Sequence, residues 1–151
     1  RELYSNLRVQ VIGGGSAEEH VRSAYPDSFI EYLGWIYESE ELDRLLREAT
    51  LVVSPFDMGL VAIDALRSGV PVLVPDNPRN GPEVEALTVS VNAVCFAKGD
   101  SSALADAVEL WLSIAPMVSE EAYIHAREAA LRIWSPKDVA TKILEAIDAF
   151  P

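Results

Sequence analysis

Between residues 8 and 112 short apolar runs alternate with helical periodicity, and this alternation constrains the fold more than any other feature. Arg8-Val9-Gln10-Val11-Ile12 reads as a strand broken by Gly13-Gly14-Gly15. Ser16 is placed to cap a short helix reaching about Tyr25, which Pro26-Asp27 ends. Phe29 to Leu33 is a second strand, and Ser39 caps a helix with Leu42, Leu45, Leu46 and Ala49 on one apolar face. Leu51-Val52-Val53 is a third strand, followed by a helix from about Met58 to Ser68 that Gly69 stops. Val70 to Val74 and Val91 to Phe96 are the fourth and fifth strands. Short apolar strands joined through helices imply crossover connections and a parallel sheet covered on both faces. The expected architecture is therefore α/β, a Rossmann-like doubly wound sheet with helices on both faces. Beyond the last strand the pattern is helical only: Leu104, Val108, Trp111 and Leu112 share a face, and Ala122 to Trp134 is a further helix. Ser135-Pro136-Lys137-Asp138 starts the last one, whose stripe is Val139, Ile143, Leu144, Ile147 and Phe150.

A chain of 151 residues without a repeat or a long linker reads as a single domain, 1–151, with terminal helices over about 119–150. Twelve Lys and Arg stand against 24 Asp and Glu, a net charge of −12, which disfavours nucleic acid and anionic membranes as partners. A small anion remains possible, because backbone amides supply local positive potential. Apolar runs such as Leu51-Val52-Val53 are too short to cross a bilayer, and the N-terminus has no signal-peptide core. The single Cys95 excludes an internal disulfide or a cysteine zinc cluster. Its place in Ala93-Val94-Cys95-Phe96 predicts a buried, inert thiol in a cytoplasmic protein. No metal-spaced cluster and no Ser-His-Asp order occurs; His20 and His125 lie on amphipathic helices without matching partners.

Ligands of such sheets bind beyond the carboxyl ends of the strands. Three loops stand out there. Gly13-Gly14-Gly15 is either a tight turn or a place where backbone approaches a ligand closely. Ser54-Pro55-Phe56-Asp57-Met58-Gly59 leads into a helix start with unpaired N–H groups, a ready anion site. Asp64 follows inside an otherwise apolar helix; either ribose hydroxyls satisfy it, or a neighbouring backbone group or Arg67 does. Asn77-Pro78-Arg79-Asn80-Gly81-Pro82-Glu83-Val84 is a polar turn whose first use is to terminate strand four.

In this order the segments resemble the C-terminal domain of GT-B glycosyltransferases, specifically retaining glycosyltransferase family 4. Val9 to Gly15 is similar to that family's strand and glycine turn. Tyr32-Leu33-Gly34-Trp35-Ile36 with Ser39-Glu40-Glu41-Leu42 resembles its "flGfv…eeL" segment. Leu51 to Pro55, Gly59 to Leu66 and Gly69 to Val72 resemble its "PS..EgfGlv.lEAma.G.PV" core. Gly81-Pro82-Glu83-Val84 and Gly99-Asp100 through Ala107 complete the order.

The resemblance implies a nucleotide-sugar as donor substrate, with no other cofactor and no bound metal. Gly13, Gly14 and Gly15 would lie near its diphosphate and the backbone of Trp35 and Ile36 near its base. The amides of Met58, Gly59 and Leu60 would hold phosphate oxygens, and Asp64 the ribose hydroxyls. The family's sugar-contacting glutamate falls on Phe56, with Asp57 beside it. Its diphosphate-neutralising Arg and Lys lie upstream of the first strand here, as does an acceptor domain. The expected activity is therefore that of the donor half of an enzyme transferring a hexose-type sugar with retention. A degenerate GT-B-like module for protein association and a generic phosphosugar-binding domain are the alternatives.

Overall fold

A computed structural model of the chain describes residues 7–24, 29–77 and 79–150, within two compact units, 1–44 and 45–151. Tyr25, Pro26 and Asp27, expected to end the first helix, and Pro78 of the third loop lie outside the described residues.

In the first unit β1 (Val9–Ile12) pairs in parallel with β2 (Ile30–Gly34), Val9 opposite Ile30 and Val11 opposite Tyr32. Parallel neighbours need a crossover, and α1 (Glu18–Ala24) supplies it. Glu18 and Glu19 in its first turn suit the positive end of the helix dipole. Arg22 pairs with Glu18 at 2.8 Å and lies 4.4 Å from the centre of the Tyr32 ring, which docks the helix on β2. Helix α2 (Ser39–Glu48) starts at the expected Ser39 and buries Leu45 and Leu46. It spans the division between the units.

The second unit is a parallel sheet in the order β3 (Val52–Val53), β4 (Val72–Asp76), β5 (Ala93–Ala97). Its side chains alternate between two apolar layers. Val72 and Val74 pack with Met58, Ala62 and Ala65, the last two from α3 (Val61–Ser68). Leu73, Val94 and Phe96 pack on the other face with Ala107 and Trp111 of α4 (Ser101–Ile114). Helices on both faces explain why β4 is apolar and buried from Val72 to Pro75. Asp100 caps α4 by accepting the Ser102 and Ala103 N–H groups at 2.9 and 3.0 Å.

Two expectations change. The third strand is shorter than expected: β3 is only two residues long because Ser54-Pro55 ends it. Cys95 is exposed, not buried. Period-two alternation turns it away from Val94 and Phe96, onto a face that the α3 layer covers over β4 but leaves open at the edge strand β5.

The end of α3 is doubly secured. Gly69 is left-handed (φ 78°), with Gly69 N–H donating to Leu66 O and Val70 N–H to Ala65 O, a Schellman motif. From α5 (Glu120–Ile133), Arg127 Nε donates to Leu66 O at 2.7 Å and Nη2 to Arg67 O at 2.6 Å. A cation at the carbonyl end also suits the helix dipole. Replacing Arg127 with Met keeps the apolar stem but removes both bonds, and is expected to lower stability by about 2 kcal/mol. Thermal melts followed by circular dichroism check this; a loss under about 0.5 kcal/mol would mean that water serves these carbonyls equally well.

Helix α6 (Pro136–Asp148) begins as expected, with the Ser135 hydroxyl accepting the Asp138 N–H. Its stripe residues Ile143, Leu144 and Ile147 are exposed.

Candidate functional site

The carboxyl ends of β3, β4 and β5 bring three connections together in the second unit. After β3, residues 54–60 fold as an irregular loop in which the Ser54 hydroxyl donates to Asp57 O at 2.7 Å. Met58 is its anchor, 1% exposed within the α3 layer, whereas Phe56 (64%) and Leu60 (66%) stand out into solvent. Helix α3 starts directly behind this loop. Ala62 N–H donates to Gly59 O, and Ile63 and Asp64 N–H donate to Leu60 O. The N–H groups of Gly59, Leu60 and Val61 then have no acceptor among the described residues. Three adjacent free donors at a helix start leave local positive potential at this edge of the sheet.

The expected set was Met58, Gly59 and Leu60. Met58 N–H instead donates to Asn80 Oδ1 at 2.9 Å, so the free set is shifted one residue towards the helix. Asp64 lies in the first turn of α3, half-exposed. Its carboxylate makes no hydrogen bond among the described residues and only a 4.0 Å approach to Arg67 Nη1. The backbone partner considered from sequence is absent, and the Arg67 partner is weak at that distance in solvent.

The connection after β4 braces the first loop. Asn77 Nδ2 donates to Phe56 O at 3.0 Å and also to the Asp57 carboxylate. Asn80 Nδ2 donates to Pro75 O at 2.7 Å, and Gly81 N–H to Met58 O at 3.0 Å. From the end of β5, Lys98 Nζ donates to Asp57 Oδ1 at 2.9 Å. This bond, aided by Asn77 and by the charge of Arg79, holds Asp57 below the usual carboxylate range. Asn77 and Asn80 belong to the third loop noted in the sequence, read there as a turn that terminates strand four, whereas Lys98 was not singled out. The available signal was an asparagine-rich turn after a strand, together with a lysine closing the next one.

The first unit brings together the glycine turn and Trp35. Gly13 has φ 103° and donates its N–H to Gly34 O at 2.7 Å. A Cβ on Gly14 would lie 2.7 Å from Glu18 Oε2 and 3.1 Å from Trp35 Nε1, so a side chain there would displace the Glu18 carboxylate and crowd Trp35. Trp35 itself is 65% exposed, and Ile36 is half-buried. Among the described residues no group of three or more His, Cys, Asp or Glu could hold a metal ion, and no helix is long and apolar enough to cross a membrane.

Residues 1–113 match the protein family described as glycosyl transferases group 1. The chain belongs to that family. No curated protein matches this group 1 glycosyl transferase chain in sequence. Among solved structures it is similar to HepE of Anabaena, crystallised in complex with UDP. The TM-score is 0.75 at 17% identity, over 97% of this chain and 42% of that one. It is similar to the sucrose-phosphate synthase of Thermosynechococcus elongatus (TM-score 0.75, 20% identity, 93% of this chain and 38% of that one). A third likeness is the C-terminal domain of a group 1 family glycosyl transferase from Francisella tularensis (TM-score 0.52, 21% identity, 81% and 60%). At such identities the likeness establishes the fold, the α/β Rossmann-like domain of GT-B glycosyltransferases. The group 1 chain spans about two fifths of the first two of these relatives.

Proposed function

We propose that this chain is the nucleotide-sugar-binding domain of a family 4 glycosyltransferase that moves a hexose-type sugar with retention in the cytoplasm. The observation that carries the reading is the start of α3, where the Gly59, Leu60 and Val61 amides are free and Asp64 stands in the same first turn. The amides hold phosphate oxygens, and they stabilise the negative charge that grows on the departing diphosphate. Asp64 accepts from the ribose hydroxyls. Roles for Gly13, Gly14, Gly15, Trp35 and Ile36 at the diphosphate and base rest on the family resemblance alone. The HepE complexes with UDP and with UDP-glucose support a uridine nucleotide as the first donor to try. An acceptor domain elsewhere in the parent protein completes the enzyme in this reading.

Titration of the chain with UDP, GDP and ADP, followed by chemical shifts, tests the proposal. One nucleotide is expected to bind in preference to the others. Asp64→Ala is expected to weaken it by about 1–3 kcal/mol, while a 2′,3′-dideoxy nucleotide loses almost nothing. Equal losses for both would make Asp64 structural. A second reading, a degenerate module for protein association, is favoured by one feature: Phe56 replaces the acid, and Asp57 beside it is engaged by Lys98 and Asn77. Absence of saturable binding of all three nucleotides at millimolar concentration selects that reading.

A further inference from the structure

We propose that Lys98 is an anion-binding residue of the α3 site, held by Asp57 as an internal counter-ion until a phosphate group of the ligand displaces that carboxylate. The inference rests on the nucleotide-sugar reading above and adds a residue to it. The chain's lysines are Lys98, Lys137 and Lys142, and the other two lie on α6. In a protein of net charge −12, Lys98 is therefore the one lysine at the carboxyl edge of the sheet. Arg79, whose charge is felt at Asp57, adds a second cation to the same edge.

Lys98 Nζ lies 2.9 Å from Asp57 Oδ1. Asp57 precedes Gly59 by two residues, a Cα-to-Cα span of at most about 7 Å, so the carboxylate that holds the ammonium belongs to the same loop as the free amides. The lysine's four-carbon stem is flexible and presents three rotatable donors, which suits transfer from one acceptor to another. The pair is not locked in by burial: the Asp57 side chain is 58% exposed and that of Lys98 32%. An exposed pair of this kind is weak enough for a doubly charged phosphate to replace the carboxylate. Asp57 loses less than it would elsewhere, because Asn77 Nδ2 continues to donate to it.

Titration of the unmodified chain and of the K98Q, K98R, D57N and D57N/K98Q variants with UDP, uridine and inorganic pyrophosphate tests this, each variant first checked by thermal melting. K98Q is expected to weaken UDP and pyrophosphate about tenfold and to leave uridine unaffected, with K98R close to the unmodified chain. D57N is expected to tighten both phosphate ligands about threefold by releasing Lys98, and this gain should vanish in the K98Q background. UDP binding that K98Q changes by less than about twofold would overturn the role of Lys98 and leave nucleotide binding standing. A D57N gain of equal size with and without Lys98 would likewise overturn it, since relief of carboxylate repulsion would then be the whole effect. Failure of both UDP and pyrophosphate to bind the unmodified chain would overturn the two proposals together.

Discussion

Asn80→Ala is expected to lower the stability of the second unit by about 2–4 kcal/mol and to abolish tight binding of phosphate ligands at α3. The carboxamide of Asn80 serves two backbone groups at once, accepting from Met58 N–H at 2.9 Å and donating to Pro75 O at 2.7 Å. Met58 and Pro75 are both fully buried. Water therefore has no easy access to the groups left behind, and each stranded donor or acceptor bears its own desolvation penalty. The functional loss follows from the same geometry. Met58 anchors the loop one residue before the first free amide, and the backbone bond from Gly81 N–H to Met58 O remains as its brace. In a domain of this size the change corresponds to a fall in melting temperature of roughly 5–12 °C. Calorimetric melting with and without UDP measures both effects. A melting temperature within about 2 °C of the unmodified chain would show that Asn80 is dispensable to the loop.

Leu73→Ala is expected to cost about 2–5 kcal/mol, comparable to a large share of the stability of a domain this size. Leu73 has no exposed surface, and it points into the layer shared by Val94, Phe96, Ala107 and Trp111. Its neighbours come from β5, which pairs with β4 along five residues, and from α4 packed on the same face. They have little freedom to collapse into the void, so both the transfer and the cavity contributions should be felt. Urea denaturation gives the value directly. A loss below about 1 kcal/mol would mean that α4 resettles over the gap.

The features legible in the sequence are those that neighbouring residues determine. The strand–helix alternation, the Gly69 stop of α3 and the Ser135 cap of α6 are each specified within about a turn of chain, and each is found. What escaped depends on residues far apart along the chain. Asn80 meets Met58 across 22 positions and Lys98 meets Asp57 across 41, and no local pattern encodes either contact. The exposure of Cys95 has the same origin. An apolar run says that a strand is apolar, whereas whether both its faces are covered depends on its place in the sheet, and β5 is an edge. Within the site, the helix start was readable from spacing, whereas spacing left the partner of Asp64 open between ribose hydroxyls, backbone and Arg67. The one-residue shift of the free amides was not readable, because it is decided by a side chain from the following loop.

That exposed thiol makes the protein its own reporter scaffold. Cys95 is the chain's only cysteine, and it sits on a strand, not on a mobile tip, three residues before Lys98. A fluorophore or spin label attached there needs no engineered background and shares the rigid backbone of β5. Partial burial and the charge of Asp76 raise the thiol's pKa, so coupling is faster in mildly alkaline buffer than at neutrality. The label would then read the rearrangement of Lys98 as an optical or magnetic signal, independent of any assay of catalysis.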